Sequence, residues 1–485
     1  MSRELYEPVI GLEIHIQLLT QSKAFSADPA EYGAMPNTNV SVVSLGHPGT
    51  LPRFNRKAAE YAIKLGIACN SQITRENIFA RKNYFYADLP KGYQITQDKT
   101  PVCTGGAISI KPAGQQPRKI NLTRIHMEED AGKSMHDQDP FDSLIDLNRA
   151  GVPLLEMVSE PEIRTADEAY AYLTEVRKLV RYLEICDGNM EEGSMRCDAN
   201  ISVRKKGASL FGTKVEVKNM NSIRNVQRAI EFEIDRQIAL LEAGETIRQE
   251  TRSFDAVKGT TFSLRSKEAA NDYRYFPEPD LSPLIIEPAQ IEAIRGAMPP
   301  LPDALYERFI NQYGLSAYDA GILTDTKPIA LYFENLCGKT SHHKAAANWV
   351  IGPVKSYLNE RALEMESFPL KPEKIAELIQ LIDEGKLSFS TASQKVFPLL
   401  TENPERSAAA IAEEHNWIQN SNSDLIQTWI RAALEKYPEK IKEYQQGKTG
   451  LLGLFMGEVM KNSQGKADPK LAAALVKEAL EAFGV

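Results

Sequence analysis

The sequence predicts an α+β fold for roughly the first 290 of its 485 residues, followed by a region that is helical throughout. Short segments that alternate apolar and polar residues, together with many Gly and Pro, indicate an antiparallel sheet in the first region. Two amphipathic helices interrupt these segments. Beyond a proline-rich stretch, helical periodicity replaces the alternation.

Strict alternation predicts three strands. In residues 195–203, apolar side chains occupy the odd positions and polar side chains the even ones, which is typical of a half-buried strand. Val215 and Val217 alternate with charged residues in the same way. Near the start of the chain, Leu12 faces one side of a predicted strand, while Glu13 and His15 share the other side.

The two helices of this region carry recognisable end signals. Thr165 precedes the first helix, and Glu168 three residues later completes a capping box. The second helix is predicted from about Ser222 to Ala243, with Gly244 suited to the position after its C-cap.

The chain changes character across a run of prolines. Seven of them fall between residues 277 and 302, and we expect an extended connection there because proline interrupts helices and strands. Beyond it, helices are predicted at 372–381, 423–434 and 468–483.

Composition excludes several classes of protein. Apolar residues make up 42% of the chain and charged residues 25%, which are ordinary values for a globular protein. No apolar run is long enough to span a membrane, and the first residues have no signal-peptide pattern, so no export is expected. Five scattered cysteines without a C-x-x-C pair fit a reducing cytoplasm.

The charge balance differs between the two regions. The net charge of −8 argues weakly against a nucleic-acid partner, since phosphate binding requires a positive surface. From Lys339 onward, however, acidic and basic residues are nearly balanced. The helical region is therefore able to carry a basic face.

Carboxylates and imidazoles cluster on the polar faces of the predicted strands. Glu13 and His15 share one face, His126 precedes the consecutive Glu128 and Glu129, and Glu156 lies among apolar residues. A carboxylate in such surroundings needs a partner or a metal ion. These groups have the chemistry to hold Mg²⁺ carrying a nucleotide phosphate. The alternative is a solvated sheet face of mixed charge.

Basic residues lie on neighbouring segments. Arg196, Lys214 and Lys218 project from polar faces and are candidates for phosphate binding. Cross-strand pairing with Asp198 and Glu216 is an equally good interpretation.

Several familiar signatures are absent. Gly132-Lys133-Ser134 lacks the earlier glycine of a P-loop, and no G-x-S-x-G or H-E-x-x-H motif occurs. The glycine-rich, serine-containing run expected around an amidase nucleophile is also missing.

Six longer motifs stand out along the chain, namely VIGLEIHIQ at 9–17, HMEEDAGK at 126–133, DLNRAGVP at 146–153, EEGSMRCDAN at 191–200, KNMNS at 218–222 and DYRYFPEPD at 272–280. Together they closely resemble one family, the B subunits of the bacterial aspartyl/glutamyl-tRNA amidotransferases. Their order in the chain is that of the family, and the resemblance covers essentially the whole sequence.

The resemblance implies a reaction and its partners. ATP phosphorylates the side-chain carboxylate of mischarged Glu-tRNA(Gln) or Asp-tRNA(Asn), and ammonia then displaces phosphate to give Gln-tRNA(Gln) or Asn-tRNA(Asn). The A subunit, a glutaminase of the amidase type, supplies the ammonia, and the small C subunit joins the two larger ones. Whether one or both tRNAs are physiological substrates is left open by the sequence.

The resemblance also implies an architecture. Residues 1–293 form a catalytic kinase/transamidase domain similar to glutamine synthetase, with an antiparallel sheet. Residues 294–405 form a helical linker domain, and residues 406–485 form a YqeY-like helical tail that binds tRNA. A stand-alone ligase of the glutamine-synthetase type and a non-catalytic tRNA-binding scaffold are the alternatives, and the helical half and the acidic cluster respectively argue against them.

Roles for individual residues follow from the same resemblance. Glu13, His15, Glu129 and Glu156 are expected to be catalytic and to bind Mg²⁺. Glu128 competes with Glu129, because adjacent strand residues face opposite sides. ATP binding is assigned to residues of the neighbouring segments, namely Arg196, Asp198, Lys214, Glu216 and Lys218.

One departure from the family concerns zinc. Many members carry two cysteine pairs in an N-terminal loop and bind zinc there. This chain has Ser26 and Asp28 in the first pair of positions, and Ser41 and Ser44 in the second. Without thiolates, no zinc is expected.

Overall fold

The computed structural model describes residues 3–112, 114–136, 138–266, 273–418, 423–463 and 467–482. Two compact units are present, Met1–Pro302 and Asp303–Val485. The first is a mixture of strands and helices and the second is helical, as the sequence predicts. The predicted domain boundaries at 293/294 and 405/406 stay predictions.

The first unit contains seventeen strands and four helices among its described residues. In chain order they are β1 (Tyr6–Gln17), α1 (Arg56–Ala68), β2 (Gln72–Ile73), β3 (Glu76–Asn77), β4 (Ala80–Asn83), β5 (Tyr93–Thr96), β6 (Cys103–Thr104), β7 (Ala107–Ile110), β8 (Arg118–Glu129), β9 (Lys133–Met135), β10 (Leu144–Asp146), β11 (Pro153–Ser159), α2 (Ala166–Tyr182), β12 (Met195–Lys205), β13 (Val215–Lys218), α3 (Ile223–Glu242), β14 (Glu250–Asp255), β15 (Thr260–Ser266), β16 (Phe276–Pro277), β17 (Leu284–Ile285) and α4 (Pro288–Gly296).

A ten-stranded sheet organises this unit. Its order is β15-β14-β13-β12-β1-β11-β8-β6-β2, with β7 also paired to β8. The pairs are antiparallel apart from β13 and β14, which run parallel. The sequence predicted an antiparallel sheet, and this one pair differs because α3 connects its strands as a crossover helix.

The two interrupting helices begin where their caps predict. The hydroxyl of Thr165 accepts a hydrogen bond from the backbone N–H of Glu168, and α2 begins at Ala166, directly after Thr165. Ser222 caps α3 in the same way. Gly244 has φ +74°, the left-handed conformation that favours glycine after a helix.

The helices cover one face of the sheet and leave the other to polar groups. Ile14 and Ile16 of β1 are fully buried in the core shared with α1, α2 and α3. Glu13 and His15, which alternate with them, are only half-buried on the opposite face.

The proline-rich stretch is more regular than the sequence predicts. We expected an extended connection, but Pro288 begins α4, and Pro302 begins the next helix in the chain. The expectation was wrong there because proline is tolerated in the first helical turn, where its missing N–H is not needed.

The second unit is all helical among its described residues. Its helices are α5 (Pro302–Asn311), α6 (Ala317–Leu323), α7 (Lys327–Cys337), α8 (His343–Trp349), α9 (Lys355–Arg361), α10 (Pro372–Asp383), α11 (Phe389–Thr391), α12 (Phe397–Glu402), α13 (Ala408–Glu414), α14 (Ser423–Lys436), α15 (Pro438–Gln445), α16 (Leu452–Asn462) and α17 (Pro469–Ala482). Helices α14 to α17 share their own apolar cluster, whereas α13 packs on α10 and α12. No described helix has the length and apolarity to cross a membrane.

Candidate metal and phosphoryl-transfer site

Strand register places the charged side chains in a row across the open face of the sheet. In β1, Glu13 lies opposite Asp198 of β12, and His15 lies opposite Glu156 of β11. Glu156 in turn lies opposite His126 of β8. Since directly opposed residues share a face, four neighbouring strands contribute to one surface.

The first group in this row combines two carboxylates with an imidazole. His15, Glu128 and Glu156 have ligand atoms that all lie within 4.8 Å of one another. The His15 Nε2 to Glu156 Oε2 distance is 3.3 Å. The Nε2 atom of His126 lies 3.6 Å from an oxygen of each carboxylate. Its Nδ1 atom is buried without a hydrogen-bond partner among the described residues.

Glu128 is held in place by neutral donors and a lysine. The hydroxyl of Thr96 donates to Oε2 at 2.9 Å, and the amide of Gln94 donates to Oε1 at 3.1 Å. Lys82 Nζ lies 3.6 Å from Oε2. Burial raises the pKa of Glu128, but Lys82 and His126 outweigh it and lower the pKa to about 2. The carboxylate is therefore ionised at neutral pH.

The second group lies next to the first on the same face, with Glu13 two residues before His15 along β1. Glu13, Asp198 and Glu216 also place their ligand atoms within 4.8 Å of one another. Lys218 donates a hydrogen bond to Asp198, and its Nζ atom lies 3.2 Å from Glu216 Oε1. Asn200 donates to Glu13 at 2.9 Å.

The pKa of Glu13 reflects the excess of negative charge in the row. Burial raises its pKa, and the nearby carboxylates of Glu156 and Asp198 raise it further. A bound cation favours the ionised form of Glu13 and offsets this repulsion.

Glu129 lies apart from both groups. Its side chain is 3% exposed and accepts hydrogen bonds from Lys91 and from the backbone N–H of Ile95, the latter at 2.8 Å. Glu129 thus contacts β5 and a separate pocket, which Lys23 also lines. Its predicted catalytic role stays a prediction.

The sequence already held a signal for choosing between the two glutamates. Ile125 and Met127 are buried, and they alternate with His126 and Glu128 along β8. Glu128 therefore lies on the same side of β8 as His126, while Glu129 lies on the same side as Met127.

The predicted phosphate-binding residues have different surroundings. Arg196 donates to Asp130 at 2.8 Å, and Gln17 donates to the same carboxylate oxygen at 2.6 Å. Lys218 lies within the second carboxylate group, whereas Lys214 is exposed just before β13. Sequence reasoning missed Lys82, because no alternation distinguishes it within the four-residue strand β4.

The four residues at the thiolate positions of the N-terminal loop contact one another. The hydroxyls of Ser26 and Ser44 lie 3.0 Å apart. Asp28 accepts a hydrogen bond from the Ser44 hydroxyl and another, at 2.8 Å, from the backbone N–H of Ser41. Burial raises the pKa of Asp28, but these hydrogen bonds outweigh it and hold the pKa below its usual value.

The donor set of the row suits a hard divalent cation. The first group has two carboxylates and one imidazole, the second has three carboxylates, and neither contains a thiolate. Oxygen donors of this kind fit Mg²⁺, and the negative charge on Glu13 and its neighbours is the charge that such a cation offsets.

The first unit thus combines a mixed, mainly antiparallel sheet with two clusters of potential metal ligands on one face, and a helical unit follows it in the chain. Residues 8–292 match the family model described as the GatB/GatE catalytic domain, and residues 331–480 match the GatB domain. The chain belongs to the family of tRNA-dependent amidotransferase B subunits.

Similar proteins span the same length. The aspartyl/glutamyl-tRNA(Asn/Gln) amidotransferase B subunit of Salinibacter ruber is 47% identical over 500 residues, which cover 99% of this chain and 98% of that protein. The protein of the same name from Trichlorobacter lovleyi is 49% identical over 475 residues, covering 98% and 99%. That of Thermodesulfovibrio yellowstonii is 48% identical over 476 residues, with the same coverage.

Proposed function

We propose that this chain activates and amidates the side-chain carboxylate of Glu-tRNA(Gln), Asp-tRNA(Asn) or both. ATP phosphorylates the carboxylate, and ammonia then displaces phosphate. The observation that carries the proposal is the pair of cation-binding groups in one row, His15, Glu128 and Glu156 beside Glu13, Asp198 and Glu216.

These six residues would hold Mg²⁺ in the proposed site. When bound, Mg²⁺ offsets charge on a transferring phosphoryl group and orients it. A carboxylate has no good leaving group of its own, and phosphorylation gives it one. The row therefore suits a reaction in which two negatively charged groups must approach each other.

The protein's own cations lie at the two ends of the row. Lys218, beside Asp198 and Glu216, is placed to contact nucleotide phosphates, and exposed Lys214 precedes it in the chain. Lys82, beside Glu128, is placed to attract the substrate carboxylate. Arg196, which donates to Asp130 through one guanidinium nitrogen, would add a further positive charge beside the row.

Ammonia comes from a partner protein in this proposal. The sequence lacks the serine-containing motif expected of an amidase nucleophile. The relatives are named as B subunits, which supports a complex of several subunits. We propose that the other subunits are the glutaminase (A) and the small C subunit. The helical second unit would contact the body of the mischarged tRNA.

We also propose that the N-terminal loop holds no zinc. The four residues at these positions, Ser26, Asp28, Ser41 and Ser44, form hydrogen bonds with one another. Their only potential ligands are oxygen atoms with a single carboxylate, whereas structural zinc sites use thiolates and imidazoles.

The test of the main proposal is reconstitution. The chain together with the glutaminase and the small C subunit should convert mischarged tRNA to the amidated form and release ADP, only when ATP and Mg²⁺ are both present. Amidation without ATP, or an active stand-alone chain that amidates free glutamate, would contradict the proposal. The control is the same complex given correctly charged tRNA, which should not consume ATP above background.

A further inference from the structure

We propose that a cluster of tyrosines at the β4 end of the row receives the 3′-terminal adenosine of the aminoacylated tRNA. The cluster consists of Tyr84, Tyr86, Tyr273 and Tyr275. This inference rests on the proposed function, because it assigns a place to one of the two substrates of that reaction.

Two chain segments that are distant in sequence form the cluster. The rings of Tyr84 and Tyr86 are 5.8 Å apart, those of Tyr84 and Tyr273 are 6.1 Å apart, and those of Tyr273 and Tyr275 are 5.9 Å apart. All three pairs meet edge to face. In an edge-to-face pair, the ring that supplies its edge keeps both of its faces uncovered by that partner, and a base needs an open face to stack.

The backbone holds the two segments together firmly. The side chain of Asn83 donates to the carbonyl oxygens of Tyr273 and Arg274, at 3.2 and 2.9 Å. Phe276 pairs with Arg81 between β16 and β4. Arg274, between two of the tyrosines, has φ +46°, a left-handed conformation that a non-glycine residue adopts at a cost.

The outer members of the cluster are exposed although they are large aromatic residues. Tyr86 is 54% exposed and Tyr275 is 41% exposed. Their immediate neighbours Phe85 and Phe276 are 91% and 44% exposed. Such a concentration of exposed rings on one rim indicates a binding surface. Aromatic side chains bind unpaired bases by stacking.

Lys82 links the cluster to the first cation-binding group. Its Nζ atom lies 5.4 Å from the centre of the Tyr273 ring and 3.6 Å from Glu128 Oε2. A base stacked beside Tyr273 would therefore lie next to Lys82, the residue that also contacts Glu128.

The in-line geometry of phosphoryl transfer predicts that ATP and the 3′-terminal adenosine of the tRNA bind on opposite sides of the transferred phosphoryl group. The attacking and leaving oxygens lie roughly in line on opposite sides of the transferred group. Lys214 and Lys218, the candidates for binding ATP phosphates, lie at the β13 end of the row. The acceptor therefore approaches from the β4 end, where the tyrosines are.

The test compares two Michaelis constants in the reconstituted amidotransferase. Tyr275→Leu removes an exposed ring and should raise the KM for mischarged tRNA about tenfold, since base stacking on an aromatic ring is lost. The KM for ATP should change less than about twofold. Tyr275→Phe keeps the ring and should retain the KM of the wild type.

A matched control comes from α2, on the other face of the sheet. Tyr170 is 43% exposed, nearly the same as Tyr275, and Tyr170→Leu should change neither constant. As a second readout, the trinucleotide cytidine-cytidine-adenosine should inhibit the wild-type enzyme better than the cytidine dinucleotide does. Tyr275→Leu should abolish that difference.

Each outcome has a definite meaning. A raised KM for ATP with an unchanged KM for tRNA would assign the cluster to the base of ATP and overturn the inference. Unchanged values for both would also overturn it. If Tyr275→Leu does not assemble with its partners, Tyr86→Leu answers the same question at a more exposed position. A wild-type complex without ATP-dependent amidation would contradict the proposed function itself, before any variant is compared.

Discussion

Glu128 and Glu129 are consecutive residues with opposite surroundings. Glu128 faces His15, His126 and Glu156 across the open side of the sheet, whereas Glu129 is buried against Lys91. The pair therefore offers a comparison in which the residue type and its position in the chain are held nearly constant.

We predict that Glu128→Gln lowers ATP-dependent amidation at least about a hundredfold, because one anionic ligand of the proposed cation site is lost. Binding of Mn²⁺, measured by electron paramagnetic resonance as a substitute for Mg²⁺, should fall by about one ion per chain. Glutamine hydrolysis by the partner glutaminase should change far less.

Glu129→Gln is the matched control. It should retain both Mn²⁺ ions, and its main effect should be a lower melting temperature, because Lys91 is left without its buried carboxylate. The opposite result, with metal lost from Glu129→Gln and kept in Glu128→Gln, would show that the row is not the metal site.

Sequence reasoning could identify Glu13, His15 and Glu156 as site residues, because polar and apolar residues alternate clearly in their strands. The sequence could not predict which strands lie side by side, because strand pairing depends on contacts between distant segments. Asp198 and Glu216 thus looked like partners for nearby cations, and only the β13-β12-β1 order brings them together with Glu13. Lys82 gave no signal because the four-residue strand β4 does not alternate clearly.

At the scale of an element, the N-terminal loop is held by Asp28 through Ser41 and Ser44. The pKa of Asp28 lies below its usual value in the folded chain. Its ionised form therefore stabilises the loop at any pH above the ordinary aspartate pKa. The contribution is lost as the pH falls through the lower, folded-state value.

Asp28→Asn should consequently loosen the loop at neutral pH but not in acid. Hydrogen–deuterium exchange of residues 23–46 should be about tenfold faster in the variant at pH 7, because hydrogen bonds to a charged group are stronger than those to a neutral one. The difference should narrow below about pH 4, where Asp28 begins to lose its charge. Glu245→Gln, at an exposed carboxylate, serves as the control and should show no pH-dependent difference in this segment.

The same loop carries a metal prediction. Elemental analysis of the purified chain, dialysed after exposure to zinc, should find far less than one zinc per chain, because no thiolate is available at the four loop positions. A chelator should leave the melting temperature unchanged in the absence of other metals. One zinc retained per chain would contradict the prediction.

At the scale of the whole molecule, two units divide the work in the proposed function. The first contains the row of carboxylates, and the second ends in four helices with their own apolar cluster. A chain ending at residue 418 keeps α13, which packs on α10 and α12, and removes those four helices. It should bind Mn²⁺ as the full chain does while its KM for mischarged tRNA rises. An unchanged KM would show that these helices do not hold the tRNA.

Six lysines near the end of the chain are predicted to meet tRNA phosphates, namely Lys436, Lys440, Lys442, Lys448, Lys461 and Lys466. Those that the structure describes are not equivalent. Lys436 forms an ion pair with Glu458, and both Lys440 and Lys448 form ion pairs with Glu443. Lys466 lies outside the described residues. The two remaining members of the predicted set, Lys442 and Lys461, are exposed.

Lys442→Ala combined with Lys461→Ala should therefore weaken tRNA binding in the full-length complex more than Lys436→Ala does. An exposed lysine that contacts a phosphate releases a counterion, and each lost contact should reduce the slope of log K against log salt by about one. A lysine already paired with a glutamate contributes less of this effect. The measurement is the dissociation constant for mischarged tRNA at several salt concentrations, compared between the two variants. Equal slopes in the double variant and the wild type would show that neither lysine meets a phosphate.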